Sequence, residues 1–111
     1  MSVEQGEVAL KSGDFAKADK VFTIALSRGT LLPDLVEKAK VGRARARIGQ
    51  GNFTGAKADL DSLAQGAAAM DQVWVVRGEM LLKEGDKAGA KNAYVEAKNL
   101  NPSIVIPPEA Q

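Results

Sequence analysis

Three short turns in this chain are near-copies of one another, and they constrain the fold more than any other feature. Gly13-Asp14-Phe15, Gly51-Asn52-Phe53 and Gly85-Asp86-Lys87 place their glycines 38 and 34 residues apart. Self-similarity at such a period is the mark of a repeat architecture. Three residues after each turn comes an alanine: Ala18, Ala56 and Ala90. Four further on stands a bulky residue (Phe22, Leu60, Tyr94), and three beyond that Ala25, Leu63 and Ala97.

The chemistry of this unit is legible. Glycine closes a helix by adopting the left-handed backbone conformation that other residues resist. An Asp or Asn directly after it can accept the orphan N–H groups that open the next helix. Each copy therefore reads as helix, tight turn, helix. In the second helix the spacing i, i+3, i+7, i+10 of Phe15, Ala18, Phe22 and Ala25 marks one buried face. Its alanines are small enough to let two helices approach closely.

The preceding segments read as the first helices. Asp34 to Gly49 follows Pro33, a residue suited to a helix start. Asp71 to Lys83 carries Val73, Trp74, Val76, Met80 and Leu81, and residues 2–12 form a shorter helix. The expectation is six helices over about 2–12, 15–28, 34–49, 53–65, 71–83 and 87–100. With aromatics at only 5% and many alanines, the composition suits close-packed helices better than a β-sandwich.

At this point the chain resembles the tetratricopeptide repeat (TPR) family. The family pattern is W-x2-L-G-x2-Y, then A-x3-F, then P, over about 34 residues. The third unit has Trp74, Gly78, Leu81, Ala90, Tyr94 and Pro102 at the matching offsets. The first keeps Gly6, Gly13, Ala18, Phe22 and Ala25; the second keeps Ala44, Gly51, Ala56 and Leu60. The resemblance covers residues 2–102, with repeats over about 2–29, 34–66 and 71–102. It implies an all-α fold: a right-handed α-solenoid of three helix-turn-helix repeats, in a single domain 1–102 followed by a tail, 103–111.

The chain departs from the pattern in two places on each first helix. The family leucine beside the glycine is Gln5, Arg43 and Arg77, and the family tyrosine is Ala9, Arg47 and Leu81. The step from repeat one to repeat two is also longer by four residues, around Thr30 to Pro33.

In this family the first helices line a concave face that binds partners. Carried over by register, the resemblance places Val3, Glu7, Leu10 and Lys11 there, then Lys38, Val41, Arg45 and Ile48, then Gln72, Val75, Glu79 and Leu82. In each repeat a charged residue (Glu7, Arg45, Glu79) stands between two apolar ones. Two readings stand side by side. One is a shallow apolar groove for an amphipathic helix or an extended peptide of a partner protein. The other is that these side chains pack against their own neighbours. The chaperone-tail clamp known in the family is not implied, because its carboxylate-gripping positions hold Val3, Glu7, Gly42 and Val76.

Other chemistries lack their residues. With no Cys and no His there is no thiol nucleophile, no imidazole base and no basis for a zinc site or a disulfide. Ser2, Ser12, Ser27, Ser62 and Ser103 have no histidine to activate them. No glycine-rich loop is followed by Lys-Ser or Lys-Thr, so no phosphate cradle is expected. Asp59 and Asp61 read as a solvated pair, and Trp74 as a packing residue at the family's structural tryptophan position. Lys38, Lys40, Arg43, Arg45 and Arg47 form a basic run, but of these only Arg43 and Arg47 share a helix face. Net charge is +1 and no aromatic cluster flanks the run, so a solvated helix is expected rather than nucleic-acid binding. No enzyme activity, cofactor or metal is expected.

The N-terminus has neither a basic start nor an apolar run, and no segment approaches the about 20 apolar residues that span a bilayer. A soluble protein, cytoplasmic or periplasmic, is expected. Ser103 to Glu109 contains Pro107 and Pro108, which forbid a helix, so this tail should run extended. Three arrangements stand open here: Ile104 and Ile106 cover the open end of the stack, a second copy covers it, or the chain is a piece of a longer protein. The functional expectation is a protein-protein interaction module or scaffold. The alternatives are a self-assembling oligomerisation unit or an accessory domain of a larger protein.

Overall fold

The computed structural model of the chain describes residues 2–63 and 66–111. Among them are six α-helices and one 3-10 turn, and no strand. The helices are α1 (Val3–Lys11), α2 (Phe15–Ser27), α3 (Pro33–Gly49), α4 (Phe53–Asp61), α5 (Met70–Lys83) and α6 (Lys87–Leu100). The 3-10 turn, η1, spans Pro108–Ala110. The all-α expectation therefore holds, helix for helix. The main difference is α4, which stops at Asp61 with Ser62 as its C-cap. Of the expected extension to 65, residues 64 and 65 lie outside the described residues.

The three look-alike turns share one geometry. Gly13, Gly51 and Gly85 all have left-handed backbones, with φ of 77°, 79° and 86°. The N–H of the following residue reaches back to a carbonyl five residues earlier: Asp14 to Ala9 at 2.9 Å, Asn52 to Arg47 at 2.8 Å and Asp86 to Leu81 at 2.9 Å. The glycine N–H bonds to the third residue back at 3.0, 3.0 and 3.1 Å. This is a Schellman closure, which satisfies the last carbonyls of each first helix. The same Asp14, Asn52 and Asp86 side chains then accept from Lys17, Gly55 and Gly89 N–H at 3.2, 3.0 and 2.8 Å. One dipeptide thus ends one helix and starts the next, three times. The first helix opens on a capping box between Ser2 and Gln5.

The contacts divide the chain into two compact units, 1–64 and 65–111. In the first, Val3, Ala9, Ala18, Phe22, Ala25, Ala39 and Ala46 form the core, with Leu10, Leu26, Leu31 and Leu35 packed on it. Phe22 is the pivot. A Cβ added to Gly6 on α1 or Gly42 on α3 would lie 2.6 or 2.5 Å from its ring. The ring therefore rests on bare backbone from both neighbouring helices. In the second unit, α5 and α6 pair in the same way, with Tyr94 lying on Gly78. The small residues expected at the crossings, Ala18, Ala56 and Ala90, are fully enclosed.

The tail belongs to the second unit. It leaves α6 through a turn after Asn101, whose side chain donates to Asp71 at 3.1 Å. It then runs extended to Pro107 before closing in η1. Ala110 is buried beside Ala90 and Tyr94, and Ile106 packs into the same cluster with Val75, Leu81 and Leu82. The expectation of an extended tail holds up to Pro107; beyond it, one helical turn forms because Pro108 occupies the first position, where no N–H is required.

Candidate functional site

The ten residues expected to line a partner-binding face divide by exposure. Val3, Val41 and Ile48 retain only 4%, 7% and 5% of their surface. Side chains so enclosed have almost no surface to offer a partner, so for these three the burial favours the second of the two readings, packing against their own neighbours. Lys38 is exposed, and Glu7, Leu10, Arg45, Val75, Glu79 and Leu82 are half-buried.

Two of these residues, on different helices, come together. Lys38 Nζ on α3 lies 3.7 Å from Glu7 Oε1 on α1. Lys38 is exposed and Glu7 half-buried, and an ion pair so open to solvent is worth no more than about 1 kcal/mol. Leu10, one turn along from Glu7, packs at the margin of the first core. In the second unit, Val75 and Leu82 sit at the margin of the cluster that holds Ile106 and Ala110. The chain's own tail is therefore part of the surroundings of two expected groove positions.

Two residues of the basic run on α3, Arg43 and Arg47, are not simply solvated, whereas Lys38 is exposed. The Arg43 guanidinium grips Asp59 on α4 with Nε at 3.1 and 3.0 Å from the two carboxylate oxygens and a terminal nitrogen at 2.6 Å. Arg47 donates to the same carboxylate at 3.0 Å and to the Gly55 carbonyl at 3.3 Å. Its Nε also lies 3.5 Å from Asp19 on α2. Asp59 is only 4% exposed, so the expected solvated pair with Asp61 is corrected: Asp61 is exposed and Asp59 is enclosed. The signal was present in the departures from the repeat pattern. Where the pattern asks for leucine and tyrosine, the second repeat has two arginines, and a buried Arg needs a carboxylate near it. The positions matching Asp59 in the other repeats are Val21 and Ala93, both buried.

Trp74 is half-buried, not enclosed, and the Arg77 guanidinium lies 5.5 Å from its ring centroid. Its neighbours Val73 and Val76 take the enclosed positions, at 1% and 0%. An indole surface capped by a guanidinium is a cation–π arrangement. It corrects the expectation of a purely packed tryptophan.

One surface was not foreseen from sequence. Val8 on α1 is 64% exposed, beside an open depression of about 720 Å³ between α1 and α2 that is lined by Gln5, Ser12, Lys17 and Val21. None of the expected groove residues lines it. Val8 lies outside the carried-over register, which is why the resemblance did not single it out.

Among the described residues, no helix is long and apolar enough to cross a membrane. No family model matches the chain, and no curated protein or solved structure is significantly similar to it.

Proposed function

We propose that this chain is a TPR-type interaction module: a right-handed stack of three helix-turn-helix repeats that binds a segment of a partner protein. The observation that carries the reading is the turn geometry, in which the same glycine closure and the same Asp or Asn cap recur three times. Such units gain little stability alone and stack on one another. Of the expected face, the residues that keep solvent-accessible surface are Glu7, Leu10, Lys38 and Arg45 in the first unit, and Val75, Glu79 and Leu82 in the second. They alternate charged and apolar groups along first helices, a pattern suited to an amphipathic helix or an extended peptide. With neither His nor Cys in the chain, binding is favoured over catalysis.

A second reading has its own observation. The exposed Val8 and the depression beside it favour self-association through the α1–α2 surface. Affinity capture from source-cell extract, with the wild type against Lys38→Glu/Arg45→Glu, separates the two. A protein held by the wild type and lost by the variant supports the groove, once its direct binding is measured with purified components. If both baits recover only the chain itself, the groove reading fails and self-assembly replaces it.

A further inference from the structure

The depression between α1 and α2 is the open counterpart of a joint that the chain fills one repeat later. There α3 packs on α2. Gly42 takes the Phe22 ring, and Ala46 is enclosed in the same core. Arg43 reaches Thr23 of α2, and Arg47 reaches Asp19. The repeat step of 38 residues carries Gly42, Arg43, Ala46 and Arg47 onto α1 as Glu4, Gln5, Val8 and Ala9. All four line the depression. What α2 covers on α3 is therefore uncovered on α1: Ala46 is 0% exposed and Val8 64%.

The chemistry of this face differs from that of the filled joint. An aromatic ring needs bare backbone where Gly42 stands, and α1 has Glu4 there. Gln5 and Ala9 offer no guanidinium to an acid placed like Asp19. The face has instead two charged ends and an apolar middle. Glu4, in the first turn of α1, stands at one end. The Gly13 turn folds α2 back along α1, so Lys17, in the first turn of α2, stands at the other. Val8 lies between them, about 6 Å along the axis from Glu4. Both charged residues line the depression and are exposed, and among the described residues neither is in an ion pair. Asp14, at the Lys17 end, is engaged as the cap of α2, where its carboxylate accepts the Lys17 N–H at 3.2 Å.

We propose that the occupant of this face is the same face of a second copy, the two related by a two-fold axis at Val8. Such an axis lays α1 antiparallel on its copy. Val8 then meets Val8, and Glu4 of each copy meets Lys17 of the other, so the face is complementary to itself in charge as an isologous contact requires. The proposal rests on the self-association reading given above and adds its symmetry and its contacts. None of the expected groove residues lines the depression. Pairing therefore leaves the groove positions of the first unit outside the contact and sets two copies of them in one particle, which favours a partner that is itself paired or repeated. One valine with two exposed ion pairs makes a weak, salt-sensitive dimer.

The test is sedimentation equilibrium of the full chain at low salt, up to about 1 mM, where weak specific contacts are populated. The wild type should form a reversible dimer that salt weakens, and Val8→Asp should be monomeric. Glu4→Lys and Lys17→Glu each turn two attractions into repulsions, so each alone should weaken the dimer at least about tenfold. Mixing these two single variants should restore it to within about threefold of the wild type. Each copy then supplies the charge that the other lacks, which no contact within one chain can do. All three positions are exposed, and circular dichroism checks that the variants stay folded. Should Val8→Asp lose its helicity, the mixing experiment decides. A wild type that stays monomeric throughout overturns both the proposal and the self-association reading. A dimer indifferent to the charge reversals, or one that mixing does not restore, overturns the two-fold pairing and leaves self-association standing. Assembly beyond a dimer overturns the pairing too, because an isologous contact closes at two copies.

Discussion

Arg43 on α3 and Asp59 on α4 are held by three short hydrogen bonds, of 3.1, 3.0 and 2.6 Å, in a setting where the carboxylate is 4% exposed. Arg47 completes the cluster from one turn further along α3. At the matching positions the other repeats have Val21 and Ala93, both apolar and buried. A buried ion cluster is costly to break but adds little over a good apolar contact, because desolvation offsets the attraction between the charges. That asymmetry is measurable.

Asp59→Ala leaves two guanidinium groups without their shared carboxylate. Breaking a buried pair costs about 3–5 kcal/mol. The two arginine side chains keep 17% and 21% exposure, so the expected loss is near the lower end. Urea unfolding followed by circular dichroism measures it. A loss under about 1 kcal/mol, the range of exposed pairs, would show that the cluster is solvated in solution.

Arg43→Leu/Arg47→Tyr/Asp59→Val converts the cluster to the apolar residues of the repeat pattern. Replacing a buried ionic cluster by packed apolar groups is often neutral or stabilising. The triple variant should unfold within about 1 kcal/mol of the wild type, although Asp59→Ala alone is severe. If the triple variant is as unstable as the single one, the charges contribute more than their replacement by packing can supply.

Gly42→Ala puts a Cβ 2.5 Å from the Phe22 ring, which is itself fully buried between two helices. Overpacking of this kind costs about 1–3 kcal/mol. Phe22→Leu in the same chain should recover part of that loss. Additive losses, found by a double-mutant cycle, would show that the ring and the glycine are not in contact.

Ala90→Leu forces α5 and α6 apart at a fully enclosed position. The expected loss is again about 1–3 kcal/mol, with Tyr94 fluorescence altered because Tyr94 shares its cluster. A silent substitution would refute the close helix crossing of the third repeat.

Lys38→Ala removes the exposed partner of Glu7 and should change stability by less than about 1 kcal/mol. Any effect should fade in high salt, since screening acts fully on exposed pairs. A large stability effect would place Lys38 in the packing and remove it from the surface proposed to bind.

How much of this was legible in sequence varies by element. The turns were fully legible, because glycine at positive φ followed by Asp or Asn is a local requirement that neighbours three to five residues away satisfy. Helix positions followed from those turns, and α4 fell short because no glycine or proline near Asp61 marks its end. The groove positions were legible only as a register. That register marks the residues of one helix stripe and says nothing of how deeply each is enclosed, so Val3, Val41 and Ile48 were indistinguishable from Val75 until their exposure was seen.

The sequence by itself determined six helices, three identical closures and the small residues at the crossings, because these depend on backbone geometry and side-chain size within one unit. Only the tertiary structure decided the rest. It paired Arg43 with Asp59 across sixteen residues, rested Phe22 on Gly42, and brought Ala110 back to Tyr94. In each case the partners come from different elements. Their meeting depends on how helices pack, which local sequence chemistry does not specify.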